Sequence, residues 1–257
     1  MSTGHSSAME SDELTPCCVI VGAGGGLGLS LARRFALGGF PIALISRSAN
    51  NVDGLSASLN SDGFSARGFV ADAAVPRQLE SAFDQIKQWG GDIGVLIYNA
   101  AAMIPDDVLE LTPDAVTDAM ALNLSGAICS VNQAVPLMRA RGSGTVIITG
   151  GGLGIEPYPN WASLSIGKAA LRSYTIALHK ALAPDNIHVA VVAVCGIVEP
   201  AGHFDPGLIA EEYWRLHAET KPNWRRELVY LPEGEDPYYN DPDGVYRTTS
   251  LAIEPGA

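Results

Sequence analysis

The sequence predicts a single α/β domain of three layers, in which helices cover both faces of a parallel sheet. Apolar, β-branched runs alternate with segments of helical periodicity along most of the 257 residues, and this alternation is typical of βαβ units. Hydrophobic residues make up 47 % of the chain, which is enough for one large core. A glycine-rich turn over 22–28 directly follows the first strand and indicates a Rossmann-like, doubly wound sheet.

The domain is predicted to span residues 16–231. Residues 1–15 contain no basic start followed by an apolar stretch, so we expect a disordered tail rather than a secretory signal. Residues 232–257 hold several Pro, Gly and acidic residues and are expected to form a second tail, either disordered or folded across a neighbour or the site. No apolar run approaches the ~20 residues that a membrane helix requires.

Charge and cysteine content exclude several function classes. The net charge of −12 argues against binding to nucleic acid or to anionic lipid. The cysteines lie in strand or helix patterns, and none of them has metal-ligand spacing to another. We therefore expect reduced, buried thiols, no metal site and a cytoplasmic protein. These cysteines are Cys17, Cys18, Cys129 and Cys195.

The elements follow one another in the order that a doubly wound domain requires. The first strand is Cys17–Val21, and a helix is predicted over 29–37, ending at Gly38. Another helix is expected over 119–127 and contains Asn123. The later strands are predicted at 41–45, 69–72, 93–98, 144–150, 188–195 and 227–230.

The glycine turn and the end of the second strand predict a cofactor. Gly22, Gly26 and Gly28 let the backbone approach a pyrophosphate, and the helix that follows offers free N–H groups. An acid at or near Ser46 would hold the ribose hydroxyls of NAD, but none is present. Arg47 is available for a 2′-phosphate instead, so the sequence favours NADP(H).

These motifs together resemble the short-chain dehydrogenase/reductase family over roughly residues 16–230. Residues 99–102 are similar to its Asn-Asn-Ala-Gly motif, and Gly196-Ile197-Val198 is similar to its Pro-Gly-x-Val segment. The resemblance implies a small-molecule substrate and a homo-oligomer, either dimer or tetramer. It also implies cofactor contacts from Gly22, Gly24, Gly26, Leu27, Gly28, Ser46, Arg47, Asp72, Asn99, Ala100, Lys168 and Val198.

The catalytic segment departs from the family's pattern. Family members carry a Tyr four residues before the Lys, and a Ser about a dozen residues before that Tyr. Here Lys168 is kept, but Leu164 stands in the place of the Tyr, and Gly151 is closest in spacing to the Ser. Asn123, whose backbone carbonyl holds a relay water in the family, is also kept. If the protein reduced a ketone, the alkoxide that forms would therefore have neither a proton donor nor a hydroxyl partner.

Three functions are compatible with this loss. The favoured one is an NADP(H)-dependent reductase of specialised metabolism that acts on an activated electrophile, such as a cyclic iminium. The pattern of loss resembles fungal family members of indole-alkaloid pathways, which reduce such intermediates and can guide a Diels–Alder cyclisation. The second is an alcohol/ketone oxidoreductase with a relocated donor, for which the nearby candidates are Tyr158, Ser165, Thr149 and Ser163. The third is a non-redox cyclase or a cofactor-binding pseudoenzyme.

A substrate lid is predicted over residues 199–226. Leu208, Tyr213, Trp214 and Leu216 have the spacing of the apolar side of a small helix over the nicotinamide. Core packing of the same residues is the alternative. His203 and His217, in the same segment, are candidate acids by their chemistry, with a structural role as the alternative.

Overall fold

The computed structural model describes residues 15–232, and these residues form one seven-stranded sheet with helices on both faces. The strands are β1 (Cys17–Val21), β2 (Ile42–Ser46), β3 (Ala66–Val70), β4 (Ile93–Tyr98), β5 (Gly144–Thr149), β6 (Ile187–Val194) and β7 (Glu227–Tyr230). Their order is β3-β2-β1-β4-β5-β6-β7, and every pairing is parallel. The predicted doubly wound α/β fold is confirmed, and the order reverses between β1 and β4, where such sheets bind ligands.

The helices divide between the two faces of the sheet. They are α1 (Leu27–Leu37), α2 (Ala49–Ser61), α3 (Pro76–Gly90), α4 (Pro113–Met120), α5 (Gly126–Arg141), α6 (Ala162–Leu182) and α7 (Pro206–His217). Side chains of α3, α5 and α6 share one core with Val19 and Val21, whereas those of α1, α2 and α7 share the other with Cys18 and Ile20. Strand β1 is buried on both sides, which explains its uninterrupted apolar sequence.

The predicted helix over 119–127 is divided by a π-helical turn. Helix α4 ends at Met120, residues Ala121–Ser125 form the π turn, and α5 begins at Gly126. The amide of Gly126 donates to the carbonyl of Ala121, five residues earlier, and not to the carbonyl of Leu122. That carbonyl accepts a hydrogen bond from the Tyr98 hydroxyl instead. Single π turns are frequent at functional sites, and this one carries Asn123.

Helix α7 belongs to a helical layer, which corrects the lid predicted over 199–226. Tyr213 and Leu216 are buried in the core that α1 shares, and the Trp214 ring lies 5.4 Å from that of Phe35. Trp214 also fills the space beside Gly38, where a Cβ would lie 2.2 Å from its ring. The apolar spacing correctly predicts a helix, but the partner of that helix is α1. Only the loop 195–205 connects β6 to α7.

Both predicted tails lie almost wholly outside the described residues. Of residues 1–15 and 232–257, the structure describes Thr15 and Pro232 alone. Within residues 15–232, no helix is long and apolar enough to cross a membrane. The same residues hold no group of three or more His, Cys, Asp or Glu side chains placed to bind a metal ion.

Candidate active site

The turn after β1 forms a glycine cradle that faces open space. Gly22 has a φ of +86°, and a Cβ there would lie 2.4 Å from the backbone nitrogen of Ala100, so only glycine fits between this turn and β4. A Cβ at Gly24, Gly25 or Gly26 would meet nothing within 4 Å. Leu27 and Gly28 follow as the buried first residues of α1, whose N-terminus offers amide donors to an anion.

A cavity of about 220 Å³ opens beside this cradle at the point where the strand order reverses. Its walls come from the carboxyl ends of β1, β2 and β4 and from the segment after β3. The lining residues include Gly22, Ala23, Ser46, Arg47, Ala71, Asn99 and Ala100. Gly22, Ser46, Arg47, Asn99 and Ala100, which the sequence assigned to cofactor binding, therefore line one cavity.

The ribose end of this cavity is polar and partly preformed. The Oγ of Ser46 accepts a hydrogen bond from Asn51 Nδ2 at 3.1 Å, which fixes its orientation. Arg47 is exposed, and no other described residue forms a hydrogen bond or ion pair with its guanidinium. Asp72 lies just beyond β3, where its carboxylate accepts from the Ala74 amide at 2.9 Å.

A buried hydrogen-bond chain connects the glycine turn to the end of β5. Asn99 Nδ2 donates to the Gly22 carbonyl at 3.0 Å, and its Oδ1 accepts from the Thr149 hydroxyl at 3.0 Å. The Tyr213 hydroxyl donates to Thr149 Oγ1 at 2.8 Å. Sequence reasoning placed Tyr213 in a lid and missed this role. The signal was present, because a buried phenol requires a hydrogen-bond partner.

Lys168 is held against the same end of β5. Its side chain is 7 % exposed, and Nζ donates to the Thr149 carbonyl at 2.8 Å. Burial lowers the pKa of this ammonium to about 8. The lysine is thus positioned by the backbone of β5 and does not depend on a phenol at position 164.

The two positions that the sequence aligns with the family's Tyr and Ser, Leu164 and Gly151, lie beside Lys168. Leu164 is 3 % exposed and precedes Lys168 by one turn of α6, so the two share one face of the helix. A Cβ on Gly151 would lie 3.8 Å from Lys168 Cε, an ordinary contact, so a serine would fit there. This geometry supports the assignment of Gly151 to the Ser place. Neither position offers a proton.

Two predicted donors, Tyr158 and Ser165, lie on either side of the start of α6. Helix α6 begins at Ala162, which puts Ser165 in its first turn. The Ser165 hydroxyl donates to the Trp161 carbonyl at 2.8 Å and accepts from the Tyr158 amide at 3.2 Å. Both hydrogen bonds of that hydroxyl stabilise the start of α6, and the geometry argues against Ser165 as the proton donor. Tyr158 is partly buried in the preceding loop.

Asn123 joins the loop after β4 to helix α6. Its side chain is 1 % exposed, and Oδ1 accepts from the Ala102 amide at 3.1 Å. It packs so closely on Gly167 that a Cβ there would lie 2.8 Å from Asn123 Cβ. Sequence reasoning found Asn123 but missed Tyr98, whose hydroxyl holds the π turn open. A tyrosine inside an otherwise apolar buried strand was the available signal.

The two candidate histidines lie apart from each other in the fold. Nδ1 of His217 is 2.9 Å from Thr145 Oγ1, near the start of β5, and burial lowers the pKa of its imidazole to about 4. The site lies at the other end of β5, so His217 is not part of it. His203 is exposed in the loop after β6, and its carbonyl accepts from the Tyr230 hydroxyl. Val198 is exposed in the same loop.

Comparison with known proteins identifies relatives. Residues 16–203 match the model of the short chain dehydrogenase family. A rat protein described as dehydrogenase/reductase SDR family member 4 is 28 % identical over 169 residues, which cover 65 % of this chain and 61 % of the rat protein. The chain therefore spans about three fifths of that relative's length.

Solved structures share the fold. A metagenomic short-chain oxidoreductase in complex with NADP has a TM-score of 0.78 at 20 % identity, covering 86 % of this chain and 99 % of its own. L-Sorbose reductase from Gluconobacter frateurii, complexed with NADPH and L-sorbose, has a TM-score of 0.77 at 20 % identity, covering 86 % of this chain and 96 % of its own.

Proposed function

Because the chain belongs to the short-chain dehydrogenase family, we propose that it is an NADP(H)-dependent reductase of specialised metabolism that acts on an electrophile already carrying its activating charge, such as a cyclic iminium. The observation that carries the proposal is the combination of a retained, buried Lys168 with Leu164 and Gly151 beside it. The chain keeps the means to hold a cofactor and offers no hydroxyl at either usual donor place.

The cofactor assignment is supported by the open glycine cradle, by the cavity beside it and by the exposed guanidinium of Arg47, which has no hydrogen-bond or ion-pair partner among residues 15–232. Similar structures bind NADP or NADPH. When bound, the nicotinamide supplies the hydride. We expect fluorescence titration to show tighter binding of NADPH than of NADH, and Arg47→Ala to remove most of the difference. Arg139→Ala, which alters an ion pair on α5, is the control. Equal affinity for both cofactors would overturn the assignment.

The choice of electrophile follows from the proton balance. Reduction of a ketone places negative charge on oxygen, and that charge requires a donor in the transition state. Reduction of an iminium carbon neutralises a positive charge and gives an amine without proton transfer. The apolar side chain of Leu164 is then an advantage, because it excludes water from the reacting carbon.

The test is a matched pair of substrates. Purified protein should consume NADPH with N-methyl-dihydroisoquinolinium, a permanent cation, and should leave tetralone, a ketone of similar shape, unreduced. Comparable turnover of the ketone would contradict the proposal. Tight NADPH binding without oxidation by either compound would favour the non-redox cyclase or pseudoenzyme.

Restoring the missing hydroxyls provides an independent check. Leu164→Tyr alone should not create strong tetralone reductase activity, because Gly151 still leaves the oxyanion without its partner. Leu164→Tyr combined with Gly151→Ser should create it, since a Cβ at position 151 fits beside Lys168. High activity of the single variant would show that another hydroxyl, with Thr149 the nearest candidate, already fills the Ser role.

An alcohol/ketone oxidoreductase with a relocated donor is the second candidate function, and the position of Tyr158 favours it. The backbone amide of Tyr158 is bonded to Ser165 at the start of α6, one residue after Leu164. If the wild-type protein reduces tetralone, Tyr158→Phe should abolish that activity, whereas Ser165→Ala should retain it.

A further inference from the structure

Exposed large apolar side chains are concentrated around the mouth of the site. Of the eleven large hydrophobic residues that are exposed within the described chain, six lie in the loops 99–112 and 195–205. Met103, Ile104, Leu109 and Ile197 are 70 %, 65 %, 91 % and 77 % exposed. A concentration of exposed apolar side chains at the mouth of a site favours a binding surface over chance exposure.

The two loops lie on either side of Gly151 at one edge of the sheet. They follow β4 and β6, which flank β5, and all three strands are parallel. The first loop is anchored to the segment before α6, because the Val108 amide donates to the Pro159 carbonyl at 3.0 Å. The Asp106 carboxylate accepts from the Ser163 amide at 3.1 Å. This side of the mouth is therefore held by hydrogen bonds.

The same loops are acidic and contain neither Lys nor Arg. Together with the loop 150–161, which also lacks both, they carry six carboxylates. Three of the carboxylates accept bonds from backbone amides, namely those of Asp106, Asp107 and Asp205. The side chains of Glu110, Glu156 and Glu199 form no hydrogen bond or ion pair with any other described residue. Lys168 lies below this surface with Nζ bonded to the Thr149 carbonyl.

We infer that this rim, formed by Met103, Ile104, Leu109 and Ile197 with Glu110 and Glu199, binds an apolar organic cation and brings it to the space beside Leu164. The inference rests on the proposed function and names the substrate class of the same site. A neutral ring system would gain only from the apolar side chains, and an anion would be repelled by the carboxylates. A delocalised cation on an apolar ring system complements both.

The test measures binding rather than turnover. N-methyl-dihydroisoquinolinium and its uncharged counterpart, dihydronaphthalene, are titrated by calorimetry into the full chain saturated with NADP⁺, which cannot reduce either compound. The cation should bind about tenfold more tightly. The preference should shrink several-fold when salt rises from about 0.02 M to about 0.3 M, since exposed charges are screened over a Debye length.

Matched variants distinguish the effect of the rim carboxylates on cation binding from the effect of the protein's net charge. Glu110→Gln with Glu199→Gln should weaken cation binding by about three- to tenfold, as expected for loss of two exposed charge interactions, and should leave dihydronaphthalene binding unchanged. Asp53→Asn with Glu80→Gln removes two charges that are also exposed, from α2 and α3, and should leave the binding of both ligands unchanged. Ile197→Ser should weaken both ligands to a similar degree.

Each result bears on a different claim. Equal binding of the two compounds, no binding of either, or equal loss in the two double variants would overturn the inference. If the cation binds selectively but NADPH is not oxidised, the cation-binding rim stands and the proposed reductase activity is refuted. If the protein reduces the cation but binds the two compounds equally well, the proposed reductase activity stands and the proposed cation-binding rim is refuted.

Discussion

Lys168 should make the stability of the protein rise with pH in the alkaline range. Burial lowers the pKa of its ammonium from 10.5 to about 8. Well below about pH 8 both folded and unfolded chains carry the proton. Between these two pKa values the folded chain has lost it while the unfolded chain keeps it, so the unfolded state binds more protons and the folded state gains stability with pH. The full gain is about 3 kcal/mol, since each pKa unit corresponds to about 1.4 kcal/mol.

Lys168→Met removes the titrating group and keeps a flexible, unbranched side chain. At neutral pH the variant loses the hydrogen bond to the Thr149 carbonyl and also the buried charge, and the two effects oppose each other. Urea unfolding of both proteins from about pH 7 to about pH 10 isolates the lysine, because other groups cancel in the difference. The wild type should gain about 1 kcal/mol per pH unit over the variant between about pH 8 and about pH 10.

The refuting result is a stability difference that stays constant over this range. It would mean that Lys168 titrates alike in the folded and unfolded chains, and that the amine is not desolvated. Lys180→Met is the control, because Lys180 lies near the end of the same helix and is exposed.

Three further predictions concern the scaffold. Gly22→Ala should prevent folding or lower the melting temperature strongly, because the residue has a φ of +86° and its Cβ would clash with the backbone after β4. Gly25→Ala is the control and should retain the wild-type melting temperature, because nothing lies within 4 Å of its Cβ. Acid should destabilise the protein through His217, because burial lowers the pKa of its imidazole from 6.5 to about 4. The stability that neutral His217 contributes is intact well above pH 6.5 and decreases as the pH falls towards about 4, by about 2 kcal/mol at about pH 5. Urea unfolding of His217→Gln should lack this acid-dependent loss of stability. Tyr98→Phe should cost about 1 kcal/mol or more in the same assay by leaving the π-turn carbonyl without its donor, and more than Tyr230→Phe, whose hydroxyl bond is exposed.

The centre of the sheet was predictable because its strands β1, β4 and β6 are buried on both faces. The strands β1 and β4 have the predicted bounds, since each is an uninterrupted apolar run that ends at a turn residue. The division of the helix around Asn123 was not predictable from local pattern. It coincides with a hydrogen bond from the Tyr98 hydroxyl to the Leu122 carbonyl, 24 residues away in the chain. Neither residue indicates the other in sequence.

The position of a predicted helix also required the structure. The spacing of Tyr213 and Leu216 predicts a helix with an apolar side, but it does not say what that side covers. Trp214 fills the gap beside Gly38 at the end of α1, and this contact shows that the apolar side covers α1. Similarly, the fate of the Ser165 hydroxyl follows from where α6 begins. A start at Ala162 makes the Trp161 carbonyl its partner.

The hydrogen-bond chain through Thr149 is independent of the two positions at which the sequence departs from the family's pattern. The chain runs from the Gly22 carbonyl through Asn99 and Thr149 to Tyr213, and the Thr149 carbonyl holds Lys168. None of these contacts involves position 151 or position 164. The cradle and the lysine are therefore fixed by groups on β1, β4, β5 and α7, so the two hydroxyl positions can change without moving them. We therefore expect substitutions at positions 151 and 164 to change the chemistry of the site while the contacts that hold the cradle and Lys168 stay in place.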